Sequence, residues 1–282
     1  MEITISSVGD LQIAARCSGD ASKPGLILLH GWPQSSHAFA GILDELGQDH
    51  FALAFDLPGI GRSQGKPPSA EKTVIADIVL SAAERLDAKG IVIAGYDVGG
   101  MVAYAAARDH AARLSGAIVM NTVLPGVPPW EETLANPKIF HFALHALAEL
   151  PELLVAGRQR AYFDFFFDML AGNKRALSDE ARDEYARAYE RPEALSAGFD
   201  WYRAMAEDAR HNARKKRIAL PMLYARGDAD GAKPERYVGP LRELGAEAVE
   251  GITIAGGEFV AEESPDRLIA AIRDFRRRLT SA

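Results

Sequence analysis

The stretch Ile91-Val92-Ile93-Ala94-Gly95-Tyr96-Asp97-Val98-Gly99-Gly100-Met101 decides the fold. Apolar residues lead into it, and the small residues of Val98 to Ala106 run out of it, a pattern that reads strand, sharp turn, helix. Glycines flanking the bend let the backbone turn tightly and let strand and helix approach closely. The central side chain, Asp97, is thereby pushed out above the sheet edge. That geometry serves an attacking group, and the group here is a carboxylate.

Outward from this turn the chain alternates strands and helices. Short β-rich segments occur at Ile3 to Val8 and Leu11 to Arg16, followed by Leu26-Ile27-Leu28-Leu29-His30 and Phe51-Ala52-Leu53-Ala54-Phe55-Asp56. The last two are apolar on both faces, as buried parallel strands are. Helical patterns fall near residues 37–47 and 71–88. Gly116 to Met120, Pro221 to Ala225 and Ile252 to Ile254 supply further strands, and an amphipathic helix runs from Asp266 to Leu279. The order βαβα predicts an α/β fold with a mostly parallel, doubly wound sheet. Between Thr122 and Pro221 the texture is helix without strand, entered through Pro125, Pro128 and Pro129 and unusually aromatic from Phe140 to Tyr202. This predicts a core domain of residues 1–125 and 217–282 and an inserted helical cap of residues 126–216 over the strand ends, where open α/β folds bind ligands.

Composition narrows the partners. A chain of 282 residues with 48% hydrophobic and 25% charged content buries a sizeable core, and a net charge of −7 argues against nucleic acid or an anionic membrane. Cys17 is the only cysteine, so an internal disulfide framework and a cysteine metal cluster are excluded. The start, Met1 to Ile5, carries no basic region followed by an apolar run, and no segment is apolar enough for a bilayer span. The expectation is a soluble, cytoplasmic protein acting on a small apolar molecule. His141 and His145 are spaced i,i+4 with Glu149 beyond, but Phe142, Ala143 and Leu144 between them lack the glutamate of a metalloprotease helix. No phosphate-cradling loop or dinucleotide fingerprint is present, so neither a metal nor a cofactor is expected. The basic run Arg210 to Arg217 reads as a solvated helix end. Tyr162 to Phe167 reads as cap core or a subunit contact, with some rings lining an apolar pocket and a homodimer among the organisations allowed.

Four local patterns carry a resemblance over nearly the whole chain: His30-Gly31-Trp32-Pro33, Asp56-Leu57-Pro58-Gly59-Ile60-Gly61-Arg62-Ser63, Gly95-Tyr96-Asp97-Val98-Gly99-Gly100, and Gly257-Glu258-Phe259-Val260-Ala261-Glu262-Glu263-Ser264-Pro265. In this order they resemble the α/β-hydrolase family and, within it, the epoxide hydrolases. The resemblance implies that Asp97 attacks an electrophilic carbon to give an alkyl-enzyme ester. It implies that the N–H groups of Val98 and Trp32 form the oxyanion hole, and that His30 shapes that loop. Tyr202 resembles the family's cap tyrosine and His141 its partner in a bacterial subgroup, both donors toward the epoxide oxygen. An ordinary core tyrosine is the alternative for Tyr202. Asp230 fits the supporting acid, with Asp228 as the alternate, and Asn121, where some relatives place that acid, is neutral.

The sequence departs from the family at the base. The expected Gly-His-Phe reads Gly257-Glu258-Phe259, and none of the seven histidines lies in the C-terminal region. A lone carboxylate is about two pKa units less basic than imidazole, which weakens it toward water. Near Asp230 it could share one proton and regain basicity; the bland reading is a lost base. The epoxide-hydrolase reading therefore stands beside three others. They are a dehalogenase acting on a haloalkane or haloacid with Trp32 as a halide donor, a pseudo-enzyme that binds ligand without turnover, and a non-hydrolytic proton transfer by Asp230 and Glu258.

Overall fold

The computed structural model describes residues 2–281. The chain enters the sheet as an antiparallel pair, β1 (Glu2–Val8) and β2 (Leu11–Ser18). β2 runs antiparallel to β4 (Phe51–Phe55), which lies parallel to β3 (Pro24–Leu29). Parallel pairing continues through β5 (Lys89–Tyr96), β6 (Gly116–Met120), β7 (Met222–Gly227) and β8 (Val249–Ile254). The spatial order is β1-β2-β4-β3-β5-β6-β7-β8. After β3 the chain first adds a strand on one side and then, with β5, on the other. The carboxyl ends of β3 and β5 therefore flank a topological switch point, the place where an open α/β sheet leaves a crevice.

Helices α1 (Ala40–Leu46), α2 (Lys72–Glu84) and α3 (Val98–Asp109) follow β3, β4 and β5. Between β6 and β7 lie α4 (Trp130–Leu134), α5 (Phe140–His145), α6 (Leu150–Val155), α7 (Gln159–Leu170), α8 (Asp179–Ala188), α9 (Pro192–Arg203) and α10 (Met205–Asn212), with no strand among the described residues. α11 (Glu235–Glu243) precedes β8, and α12 (Val260–Glu263) and α13 (Pro265–Ser281) close the chain. α1 packs on α13 and α2 on α3, so β3 through β6 are buried on both faces, as their unbroken apolar runs require. The helix expected over residues 37–47 is split, because Ser35 caps a 3₁₀ turn, Ser36–Phe39, ahead of α1. The helix expected over 71–88 stops at Glu84, before Asp87 takes φ +61°. No helix among the described residues is long and apolar enough to cross a membrane.

The elbow depends on missing side chains. A Cβ on Gly99 would lie 2.3 Å from the Leu29 oxygen and 2.5 Å from that of His30, and one on Gly95 would lie 2.2 Å from the Gly99 oxygen. Strand β5, helix α3 and the loop after β3 thus meet backbone to backbone, and Asp97 takes φ +51° at the bend. A non-glycine residue in this region of backbone space is strained, and such strain is found at functional turns.

A second fixture ties α2 to the helices before β7. Lys72, at the start of α2, donates from Nζ to Asp208 Oδ2 at 2.7 Å and to the Trp201 oxygen at 2.5 Å, while its backbone N–H reaches Asp208 Oδ1 at 2.9 Å. Burial pulls the Lys72 ammonium below its ordinary pKa and Asp208 pulls it back. Asp208→Ala, which strands a buried ammonium, is expected to cost about 3–5 kcal/mol of unfolding free energy by denaturant titration, and Lys72→Met with Asp208→Leu to recover most of it. Gly99→Ala is expected to yield no soluble folded protein, assessed by circular dichroism and gel filtration.

Candidate active site

Asp97 sits at the mouth of the crevice. Its Oδ1 accepts the Trp32 N–H at 2.8 Å, and the loop reaches it closely because Gly31 has no Cβ, which would lie 2.5 Å from that of Asp97. Val98, the first residue of α3, aims a second N–H at the carboxylate, adding the favourable end of a helix dipole. Burial pushes the Asp97 carboxyl up to about 6; the N–H groups of Val98 and Trp32, and then the Lys72 ammonium, oppose that rise. Asp97 is therefore mostly ionised at pH 7. Trp32 and Val98 thus both direct backbone N–H groups at the Asp97 carboxylate, with Oδ1 bonded to that of Trp32.

His30 is fully buried and shapes the loop. Its Nε2 accepts the Leu57 N–H at 3.1 Å, which leaves the proton on Nδ1, bonded to the Gly31 oxygen at 2.9 Å. Burial lowers its pKa, keeping the ring neutral. The loop is braced further by a buried network that the sequence reading missed. Gln34 donates to Glu262 at 2.6 Å, Tyr185 donates to the same carboxylate at 2.7 Å, Tyr96 donates to the Gln34 side chain, and Tyr189 donates to the Gln34 oxygen at 2.9 Å. Burial pushes the Glu262 carboxyl up to about 7.

A cavity of about 780 Å³ opens on this face, lined by Asp97, Glu258, Asp230 and His141 together with Arg226, Arg236, Asn121, Met101, Phe142 and Leu170. Trp32, Val98, His30 and Tyr202 do not line it. The wall is mixed rather than apolar, since two arginines and an asparagine share it with the aliphatic groups. None of the run Tyr162 to Phe167 reaches the cavity. Phe163, Phe166 and Phe167 are core, and Trp32 is a hub for that core, with ring centres 5.4 Å from Phe163 and 4.9 Å from Phe166.

Glu258 faces the cavity on a loop whose backbone is pinned from three sides. Asn121 Nδ2 donates to the oxygens of Gly257 at 3.0 Å and Glu258 at 2.9 Å, and Asn121 Oδ1 accepts the Gly227 N–H at 2.8 Å. The Glu258 N–H reaches the Leu170 oxygen at 3.1 Å, and Glu263 accepts the N–H groups of Gly257, Phe259 and Asn173 at 2.8–3.0 Å. No group of the described residues hydrogen-bonds the Glu258 carboxyl itself. Burial, and then the negative charge of Asp97, push that carboxyl well above the usual range, with Arg226 opposing and Asp230 adding to the rise.

Asp230 is about half exposed at 52%, and its partner is Arg226, not Glu258. Asp228 accepts the Gly256 N–H at 3.0 Å. The proton-sharing neighbour expected of Glu258 is thus Asp97 before Asp230, because Arg226 neutralises Asp230 near the surface. Arg226 was not singled out in the sequence. Its guanidinium stacks over Tyr237 at 4.6 Å, and its buried Nε has no partner.

His141 and Tyr202 are brought together, with ring centres 5.8 Å apart, but only His141 meets the cavity. Burial lowers the His141 pKa to about 3, so the ring is neutral, and its Nδ1 has no partner. Tyr202 is packed against His145 at 4.6 Å and Phe142 at 5.3 Å. His145 Nε2 pairs with the Tyr162 hydroxyl at 2.9 Å, and among the described residues no three His, Cys, Asp or Glu side chains cluster as metal ligands would. In the basic run, His211 and Lys216 pair with Asp109 at 2.9 and 3.0 Å.

Comparisons with known proteins agree with this architecture. A soluble epoxide hydrolase of Corynebacterium sp. (strain C12) is 26% identical over 262 residues, covering 89% of each chain. A fluoroacetate dehalogenase of Burkholderia sp. is 24% identical, covering 97% of this chain and 93% of its own. The crystal structure of wild-type Cfl2 from Burkholderia cenocepacia superposes with a TM-score of 0.85 at 30% identity, covering 97% of this chain and 95% of that one. The family model described as the alpha/beta hydrolase fold matches residues 24–244, and the eight-stranded sheet has the mostly parallel form that the sequence predicted. The chain belongs to the α/β-hydrolase fold family.

Proposed function

We propose that this protein is a hydrolase that opens an epoxide through an ester on Asp97, with the helices before β7 acting as a cap domain. The observation that carries the reading is a carboxylate at a glycine-lined elbow, one oxygen held by the Trp32 N–H at 2.8 Å and the whole group facing a cavity of about 780 Å³. A carboxylate needs no base to attack carbon, and displacement leaves its held oxygen as the ester carbonyl already in the hole. Water attack on that carbonyl then returns the enzyme. Similarity to the Corynebacterium epoxide hydrolase supports the same chemistry.

The wall of the cavity suggests an amphipathic substrate. Met101, Ile139, Phe142 and Leu170 offer apolar contact, while Arg226 and Asn121 offer polar contact. Arg226 also favours a second reading, dehalogenation of a haloacid, because its guanidinium could hold a substrate carboxylate; the fluoroacetate dehalogenase relative points the same way. The indole N–H of Trp32 is buried without a partner but lies outside the cavity, which leaves it poorly placed for halide. Halide release from haloalkanes and haloacids, measured beside diol formation from epoxides, separates the two readings.

Intact-mass measurement after incubation with styrene oxide is expected to show one adduct, mapping to Asp97, with diol in the medium. An unmodified Asp97 and no diol would sink the reading. Asp97→Asn is expected to reduce turnover to background. The same substitution is expected to raise the melting temperature at pH 7 and not at pH 4. Between the ordinary carboxyl pKa of 3.8 and about 6 the unfolded chain gives up this proton while the fold retains it, so native stability falls as pH rises through that window. An unchanged melting difference across the window would contradict the buried-charge account.

A further inference from the structure

Glu258 stands where a base is expected, yet the structure gives its proton a different use. Asp97 and Glu258 line one cavity, and two carboxylates facing one space resist joint ionisation. The surroundings decide which keeps the charge. Asp97 receives two backbone N–H groups and the field of Lys72, whereas the Glu258 carboxyl receives no hydrogen bond from the described residues. The groups that act on Glu258 are the charges of Asp97, Arg226, Asp230 and Glu263 and the phenols of Tyr96, Tyr202, Tyr224 and Tyr237, and the neutral His141 shares its cavity. Three of the four charges are negative. The surroundings therefore favour the charge on Asp97 and the proton on Glu258.

Opening an epoxide needs an acid, because the ring oxygen otherwise leaves as an alkoxide. Tyr202, the expected donor, does not line the cavity, and burial together with the charge of Asp97 pushes its phenol well above the ordinary range, making it a poor acid; His141, which does line it, is neutral and a far weaker acid than a carboxyl group. We propose that Glu258 donates the proton that opens the epoxide and, once deprotonated, serves as the base that hydrolyses the Asp97 ester. This rests on the Asp97-ester reading above.

The steps balance. Asp97 forms a bond to a ring carbon as the carbon–oxygen bond breaks, and the ring oxygen takes the Glu258 proton to become a hydroxyl. Asp97 is now a neutral ester and Glu258 a carboxylate, so the pair carries one negative charge before and after. Glu258 then takes a proton from water as the water oxygen bonds to the ester carbonyl carbon, and the N–H groups of Trp32 and Val98 receive the oxyanion. Collapse expels the alcohol oxygen, which takes the proton left on the regenerated Asp97 carboxyl. The diol departs, and an Asp97 anion again faces a protonated Glu258. The same exchange of acid for base on one carboxyl runs retaining glycosidases. Ester formation should follow a bell-shaped pH profile, rising as Asp97 ionises through about 6 and falling as Glu258 does.

The test uses the full chain and two electrophiles that differ in their need for an acid. Styrene oxide must have its leaving oxygen protonated; benzyl bromide releases bromide without a proton. Rates of Asp97 labelling by each are measured by intact mass in the parent and in Glu258→Gln. The expected result is a loss of at least about 10²-fold with styrene oxide and a change of only a few-fold with benzyl bromide. Equal losses with both reagents would mean that Glu258 only positions the site, and no loss with either would mean that it donates nothing; both overturn the proposal. Failure of both reagents to label the parent would instead remove the Asp97 reading, and the proposal with it. Glu258→His at pH 8, neutral and without a proton to give, provides the same comparison should the glutamine variant not fold.

Discussion

Everything at this site depends on backbone meeting backbone without intervening side chains. Gly99 lies so close to the oxygens of Leu29 and His30, and Gly95 to that of Gly99, that no larger residue fits. Because strand, helix and loop are drawn together there, the N–H of Trp32 and the carboxylate of Asp97 lie within hydrogen-bonding distance. The strained bend at Asp97 follows from the same crowding and projects its side chain outward. Burial of polar backbone here is eased because the Trp32 N–H finds its acceptor in the carboxylate itself.

The electrostatics then follow from proximity. A negative charge in a partly dry crevice is costly, and two such charges cost more. The structure concentrates donors on Asp97 and leaves Glu258 with a cavity in front of it and an arginine to one side. Lys72 links this balance to the helices before β7, since the same ammonium that pairs with Asp208 also lowers the cost of ionising Asp97. Packing of those helices on α2 and the charge state of Asp97 are thus physically connected.

Much of this was legible in the sequence where local pattern and geometry coincide. The strand, small-residue turn and helix around Asp97, the His30-Gly31-Trp32 loop and the unbroken apolar strands each carry their own signature. Helix α11 does not, because Gly239 and Pro240 sit inside it and break the helical pattern. The partners that tune the site were hidden for another reason. Arg226 reaches the site from β7, distant in sequence from Asp97 and Glu258, and a single residue of ordinary type gives no periodic signal; Asn121 stood out as a neutral residue in the place of an acid, but its grip on the loop at residue 258 did not. Asp230 shows the reverse. Its spacing placed it beside the base position, but Arg226, at the end of β7 four residues earlier, pairs with it near the surface. In the aromatic run Phe163, Phe166 and Phe167 are core, as the sequence pattern suggested, but none of its rings lines the cavity, since helical spacing of rings does not say which side of a helix the ligand occupies.

The loop at residue 258 is held almost entirely by main-chain atoms. Asn121 grips two of its oxygens, Leu170 accepts its N–H, and Glu263 clasps the N–H groups on either side. None of these contacts involves the side chain at position 258. The position behaves as a socket whose shape is set by its neighbours, so the fitting it carries can be exchanged without reshaping the fold. Exchange of the side chain there would change the charge that faces the cavity while every other part stays in register.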